Sequence, residues 1–405
     1  MSTARDPVIL SAVRTPIGRF RGALADVTAA DLGATVIRAA VERAGISTPA
    51  AIDEVLMGNV VSAGLGQNVA RQAAIRGGLP SSVGATTVNK VCGASLKVVT
   101  MAAQAIRSGD ADLFICGGLE SMSRAPFLVD GRLNQLRYGS AELRDALVVD
   151  GLWCAFEDWA MGSAAECIAD KYGLTREAMD QYALGSHRKA VAAIDAGKFR
   201  SELVPVAAPR RGGADDRRGA ALAQDEAPRR DTSIDALRKL RPAFRPDGRI
   251  TAGNAAGLND AAAALVVASR ATAQALGARP LARVAGYAQA ALEPRDIFDA
   301  PAAAILKLLG RTGWRLGDVD LLEVNEAFAA QILANGCALE RSGWNWERVN
   351  VHGGAIALGH PLGATGARLL TSLAHALVDR GGQRGIACLC LGGGEAIAVA
   401  IERDE

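Results

Sequence analysis

The sequence predicts a duplicated α/β protein with a largely parallel, doubly covered sheet and one long irregular insertion. Three observations carry this. Strand-like and helix-like segments alternate through the first 116 residues, and regularity fails from about Pro126 to Phe244. Short matches also repeat in the same order in both ends of the chain: Ile52 to Asn59 with Val319 to Asn325, Thr87 to Ala94 with Arg348 to Ala355, and Ala111 to Glu120 with Ile386 to Glu395. Alternation of this kind implies βα units, and ordered internal similarity implies a copied unit.

The first copy reads strand at Val8 to Val13, helix at Ala29 to Ala44, strand at Glu54 to Met57, helix at Asn68 to Arg76, strand at Thr86 to Val88, helix at Leu96 to Arg107 and strand at Asp112 to Cys116. Gly109 suits a left-handed cap that ends the third helix. The insertion holds a helix from Arg176 to Ala196 and the polar stretch RRGGADDRRGAALAQDEAPRRD. Regular structure resumes at Ile250 with a helix-like alanine run, Asp260 to Ala268, and a new strand starts near Leu281 to Tyr287.

At 405 residues with half of them apolar, two or three domains are expected. No run reaches the roughly 18 apolar residues of a membrane helix, and neither end carries a secretory or peroxisomal signal. Seven scattered cysteines suggest neither a disulfide framework nor a zinc site, which fits a reducing cytoplasm. A formal net charge of +2 excludes an argument for nucleic acid or a membrane surface. Arginines nevertheless crowd between Arg210 and Arg249: Arg210, Arg211, Arg217, Arg218, Arg229, Arg230, Arg238, Arg241 and Arg245 fall there. That is either a solvated loop surface or a dock for a phosphorylated small molecule, since guanidinium pairs with phosphate through two donors.

Cys92, in NKVCGASLK, sits at a strand-to-helix turn, where unpaired N–H groups and the positive helix end favour an anion such as a thiolate. Buried free cysteines are common, but Gly93 and Ala94 clear space beside this one. Of four histidines, His187 and His375 fall mid-helix, while His352 and His360 flank a glycine-rich turn; His360 precedes Pro361 at a helix start and is suited to take a thiol proton. Cys390 ends the strand CLC before Gly392-Gly-Gly394, where a second thiol can act as a base and exposed N–H groups as an oxyanion hole. A nucleotide-loop interpretation of these glycines lacks the required spacing. Asn325 ends another strand, as a helix cap or as an orienter of water toward a carbonyl oxygen.

Together VNKVCGASLKVV, GQNVARQAA, TAGNAAGLNDAAA, NEAFA, GGAIALGHPLGATGAR and CLCLGGGEA resemble the thiolase family over nearly the whole chain. The resemblance implies two βαβαβαββ-type halves in a five-layer α-β-α-β-α core: residues 1–125 with 245–279, and residues 280–405, with a coenzyme A-binding loop domain at 126–244. It implies ping-pong acyl transfer in which Cys92 takes the acyl group, His360 takes the thiol proton, and Cys390 deprotonates the second acetyl-CoA. Asn325 with His360 would form one oxyanion hole, and the backbone N–H groups of Cys92 and Gly392 the other. Met161, Ala256, Phe328, Arg230 and Ala252 would contact substrate. The same resemblance implies no metal and no permanently bound cofactor, with coenzyme A as substrate and product, and a homodimer or homotetramer in fatty acid metabolism, with Arg124 to Leu143 as an assembly loop.

Within the family, the likeness is to enzymes that condense two acetyl-CoA into acetoacetyl-CoA. Ala160 replaces a family histidine and Ala256 a family serine, so longer or branched 3-ketoacyl-CoA substrates stay open. Two rivals remain. A decarboxylating ketoacyl synthase would pair its cysteine with two histidines, and a non-catalytic acyl-CoA or lipid carrier would have no need of Cys92, His360 and Cys390.

Overall fold

The computed structural model describes residues 3–129, 140–207 and 221–404. Arg210, Arg211, Arg217 and Arg218, and residues 130–139 of the segment Arg124 to Leu143, lie outside the described residues. Nine longer strands organise the chain: β1 (Pro7–Arg14), β2 (Glu54–Gly58), β3 (Gly84–Val88), β4 (Leu113–Ser121), β5 (Asn259–Ser269), β6 (Ala282–Ala291), β7 (Leu321–Val324), β8 (Arg384–Leu391) and β9 (Glu395–Glu402). In the first half the order is β3-β2-β4-β5-β1, with β3, β2 and β4 parallel and β5 antiparallel to both neighbours. The second half repeats it: Val349 bridges to β7, and β8, β9 and β6 follow with the same directions. The halves join where Val8 and Ile9 of β1 pair with Arg283 and Ala282 of β6.

The duplication extends to single side chains. Asp53 Oδ2 accepts the N–H groups of Asp112 and Leu113, each at 2.8 Å, at the start of β4. Asp320 Oδ2 accepts those of Gln383 and Arg384, also at 2.8 Å, at the start of β8. This register sets Leu113 against Arg384, four residues away from the alignment implied by matching Ala111 with Ile386. The short sequence echo therefore paired the right strands out of step.

Helices α1 (Ala29–Arg43) and α2 (Val69–Arg76) cover the outer face of the first half. Helices α3 (Ala94–Ser108) and, from the second half, Thr365–Arg380 lie between the two sheet regions and share their apolar cluster. Ala300–Thr312 and Ala329–Leu339 cover the outer face of the second half. Five layers result, α-β-α-β-α. The insertion contributes Met161–Lys171 and Arg176–Asp195. α1 begins at an N-cap threonine, Thr28, whose side chain accepts Asp31 N–H, and α3 ends at Gly109 with φ +88°, a left-handed cap that only glycine adopts without strain.

One element differs in kind from its expectation. Asp260 to Ala268 is not a helix but the centre of β5, hydrogen-bonded on both sides by β1 and β4, with all eleven residues of the strand buried. Alanine's helix preference amounts to a few tenths of a kcal/mol per residue over most others, which two ladders of backbone bonds outweigh. The small side chains serve the layering, because helices pack on both faces of β5.

Because Asp53 and Asp320 each satisfy two backbone donors, Asp53→Ala and Asp320→Ala should each cost about 1 kcal/mol. The expected drop in thermal midpoint by calorimetry is about 1 °C for each in a chain of 405 residues, with equal effects in the two copies.

Candidate functional site

β3 delivers Cys92 through a tight elbow. Asn89 Oδ1 accepts Val91 N–H at 2.9 Å, Val91 takes φ +47°, and Gly93 N–H donates to Lys90 O at 3.1 Å before α3 begins at Ala94. A β-branched residue with positive φ is strained and persists only where the surroundings impose it. Here they do. A Cβ on Gly93 would stand 2.4 Å from Leu391 Cδ2, so glycine lets the elbow press against the end of β8.

β8 delivers Cys390 and then Gly392, and the glycine turn returns the chain into β9 with φ of +91° at Gly393 and +86° at Gly394. Lys90 on the elbow ion-pairs with Glu395 at the start of β9, which ties the two catalytic turns together. His360 lies on the loop before Thr365–Arg380, its backbone N–H held by Asn259 Oδ1 at 2.9 Å. Across the helix starts, Ser95 Oγ accepts Ala367 N–H at 2.9 Å.

Cys92, His360, Cys390 and Gly392 line one cavity of about 80 Å³, walled by Met122, Leu152, Met161, Ile297, Phe298 and Phe328 among others, with Ala256 also on the wall. Cys92 is half-buried, yet its sulfur is ringed by protein. Burial pushes its thiol up to about 12, with Glu120 adding to the rise and the N–H groups of Cys92 and Gly392 opposing it. Burial, with a contribution from the Cys92 charge, holds Cys390 well above the usual thiol range. The free site therefore carries thiols. The helix N-terminus does not win against desolvation, contrary to the thiolate its position suggests.

His360 shows how the proton acceptor is prepared. Thr365 Oγ1 donates its only proton to Pro361 O at 2.9 Å, so it accepts from His360 Nδ1–H at 2.7 Å. That assigns the tautomer and leaves Nε2 as an acceptor, toward which Asn325 Nδ2 donates at 3.4 Å. Burial and then the Arg368 guanidinium push the imidazole down to about 3, so it is neutral at working pH. Asn325 is fully buried, and its Oδ1 has no partner among the described residues, an acceptor beside His360. A lone pair, two thiols and convergent N–H groups in a dry pocket can move protons and steady an oxyanion.

A second groove, sharing Gly257 and Leu258 with the cavity, is lined by Arg19, His187, Arg229, Ala252 and Leu240 among others. Ala252 lines this groove. Arg230 does not line it: its guanidinium ion-pairs with Asp195, at 2.6 Å, on the surface, while Arg229 lines the groove. His187, expected as a packing or surface group, accepts Arg229 N–H through Nδ1 at 3.1 Å. Burial and the neighbouring Arg229 and Arg19 lower it to about 4. His352 stays outside the site, edge-on to Phe199. Thr365 was missed although it lies in the quoted GHPLGAT motif; a hydroxyl five residues beyond a candidate histidine at a helix start was the available signal.

The thiolase N-terminal domain matches residues 7–271, and the thiolase C-terminal domain matches residues 278–403. The chain belongs to the thiolase family. An acetyl-CoA acetyltransferase of Pseudomonas aeruginosa is 50% identical over 400 residues, covering 99% of this chain and 100% of that protein. One of Cupriavidus necator is 49% identical over 398 residues, covering 98% of this thiolase and 99% of the other. The crystal structure of the Bacillus anthracis acetyl-CoA acetyltransferase superposes with a TM-score of 0.93 at 41% identity, covering 98% of each chain.

Two outcomes follow from the proton inventory. Thr365→Val keeps the shape but frees the tautomer, and should lower the thiolase kcat roughly tenfold, about 1.4 kcal/mol, with little change in KM for coenzyme A. Because His360 stays neutral above about 3, alkylation of Cys92 by iodoacetamide should rise by about tenfold per pH unit below about pH 6, following thiolate alone. A break that persists in Glu120→Gln would show His360 titrating, since Glu120, lifted to about 7, also acts on Cys92.

Proposed function

We propose that this thiolase is an acetyl-CoA C-acetyltransferase, joining two acetyl-CoA into acetoacetyl-CoA and free coenzyme A, reversibly, through an acetyl-cysteine. The observation that carries it is two thiols and a neutral imidazole on the walls of one small apolar cavity, continuous with an arginine-bearing groove. Full-length identity near 50% to acetyl-CoA acetyltransferases supports the same reaction.

Cys92 Sγ attacks the thioester carbonyl while its proton passes to His360 Nε2. The imidazolium then donates toward the oxyanion beside a water that gives one hydrogen to Asn325 Oδ1, and coenzyme A leaves with the proton of Cys390, which becomes the thiolate. In the second half-reaction the Cys390 thiolate removes a methyl proton from acetyl-CoA. The enolate attacks the acetyl carbonyl, the N–H groups of Cys92 and Gly392 receive the new oxyanion, and its collapse breaks the bond to Cys92 Sγ, which recovers its proton from His360. Removing one such donor typically costs about 3 kcal/mol. Arg229 meets coenzyme A phosphate at the groove, with Ala252 and Ala256 along its arm and Met161 and Phe328 around the acyl end. Phe298, Phe328 and Ile297 leave little length beyond the sulfurs, which favours a short acyl group.

Residues 126–244 serve as the coenzyme A-binding insertion in this account, since Arg229 and His187 reach the groove from it. No helix among the described residues is long and apolar enough to cross a membrane. With all seven cysteines unpaired, a reducing cytoplasm and a homo-oligomer of the family's kind fit best.

Mixing purified protein with acetoacetyl-CoA and free coenzyme A, and following loss of the enolate absorbance, tests the assignment. Turnover is expected, falling with chain length in a 3-ketoacyl-CoA series; no turnover on any member would eliminate it. Cys92→Ala should abolish the acetyl mass shift on intact protein. Cys390→Ala should keep that shift while losing solvent exchange of the methyl protons of acetyl-CoA.

A further inference from the structure

Glu120 lies at the end of β4, fully buried, and forms no ion pair among the described residues. Its carboxylate is instead ringed by four N–H donors. Oε1 accepts Asn59 Nδ2 at 2.9 Å and Val61 N–H at 3.2 Å, and Oε2 accepts Val60 N–H at 3.0 Å and Gly363 N–H at 2.9 Å. These donors come from both halves: Asn59, Val60 and Val61 follow β2, whereas Gly363 belongs to the loop that carries His360. The side chains of Val60, Val61 and Leu362, all held by or adjacent to those donors, pack with Cys92 in one cluster. Asn89 Nδ2 also reaches Val60 O at 3.4 Å, linking the Cys92 elbow to the same strand end.

Two close approaches show that the clamp is built rather than incidental. A Cβ on Gly363 would lie 2.9 Å from Glu120 Oε2 and 2.8 Å from Asn59 Cα, and a Cβ on Gly118 would lie 2.0 Å from Gly363 O. Only glycines at both places allow the His360 loop of one half to rest on β4 of the other. Counted from the paired aspartates, Asn59 corresponds to Glu326 and Gly58 to Asn325.

We propose that Glu120 is a positioning residue for acyl transfer: its buried negative charge clamps the His360 loop and the Val60–Val61 segment around Cys92, and sets the electrostatic field in which that thiol ionises. The inference rests on the acyl-transfer assignment of the preceding subsection. The groups facing the carboxylate fit this role. Its neighbours with charge are Asp260 on β5 and the Cys92 thiol, both of which it repels when ionised, and burial lifts it to about 7 against the pull of the three backbone donors. That buried charge disfavours thiolate at Cys92 in the free enzyme.

The test uses two readouts on the whole protein, one of them independent of turnover. In Glu120→Gln an amide N–H₂ faces donors and the charge is gone. Turnover with acetoacetyl-CoA and coenzyme A should fall at least about tenfold, while KM for coenzyme A changes less than about threefold. At the same time the pH limb for alkylation of Cys92 by iodoacetamide should move to lower pH, so that the rate at a fixed pH rises severalfold, because a like charge has been removed. Glu120→Asp, which keeps the charge on a shorter stem, should leave the limb near its original pH. An unmoved limb in Glu120→Gln, or turnover within about twofold of the parent, would overturn the proposal. If Glu120→Gln does not fold, Asn59→Ala decides, removing one donor and keeping the carboxylate: kcat should fall about fivefold or more with the limb unmoved, and an unchanged kcat refutes the clamp. Lack of turnover in the parent protein would count against the acyl-transfer assignment, whereas the alkylation limb would still test the charge.

Discussion

The site depends on keeping its catalytic groups uncharged until substrate arrives. Cys92, Cys390 and His360 share a cavity with apolar walls, and the same burial that raises both thiols lowers the imidazole. A charge created there without partners would be expensive. The structure meets this by fixing donors in advance: two backbone N–H groups beside Cys92, and Asn325 beside His360. Donors that do not reorganise during reaction are worth more in a dry site than in water. Their precision comes from the sheet. Cys390 ends β8, Asn325 follows β7 and Cys92 follows β3, so each side chain inherits the rigidity of a strand end.

Duplication supplies the geometry and then departs from symmetry. Asp53 and Asp320 perform the same task in both copies, as scaffolding should. At the strand ends the copies diverge: the elbow after β3 holds a cysteine, whereas the matching loop after Val349 holds Asn350 and His352, turned to structural work. Asn350 Oδ1 accepts Val324 N–H at 2.9 Å, and its Nδ2 donates to Glu326. A two-copy fold brings corresponding strand ends to one place, and each copy then retains only the part of the chemistry that its partner lacks. The close approaches at Gly93 and Gly118 are the steric record of that meeting.

Much of this was legible in the sequence because it rests on local pattern. Strand and helix alternate over short windows, Gly109 caps a helix, and Cys92 at a strand-to-helix turn is visible without any tertiary knowledge. What was not legible depends on neighbours. The alanine run of β5 reads as helix until β1 and β4 claim its backbone. Arg229 and Arg230 are adjacent and alike, and only the position of Asp195 decides which one is drawn away from the groove. The ionisation of Cys92 turns on desolvation, which a helix N-terminus alone does not reveal. Thr365 matters because its proton is committed to Pro361, a fact about a carbonyl four residues back along a turn.

The separation of the two cavities explains how one molecule handles a polyanionic carrier and a carbanion equivalent together. The groove carries Arg19 and Arg229, both exposed to solvent, where charge is partly screened. The inner cavity is apolar, so a developing enolate feels the fixed N–H dipoles at low effective dielectric. If the arginines bordered the sulfurs, they would lower both thiol pKa values and leave Cys92 ionised without an acyl group to attack. Desolvation keeps the thiols protonated, and Gly257 and Leu258, which line both the inner cavity and the groove, add no charge between them.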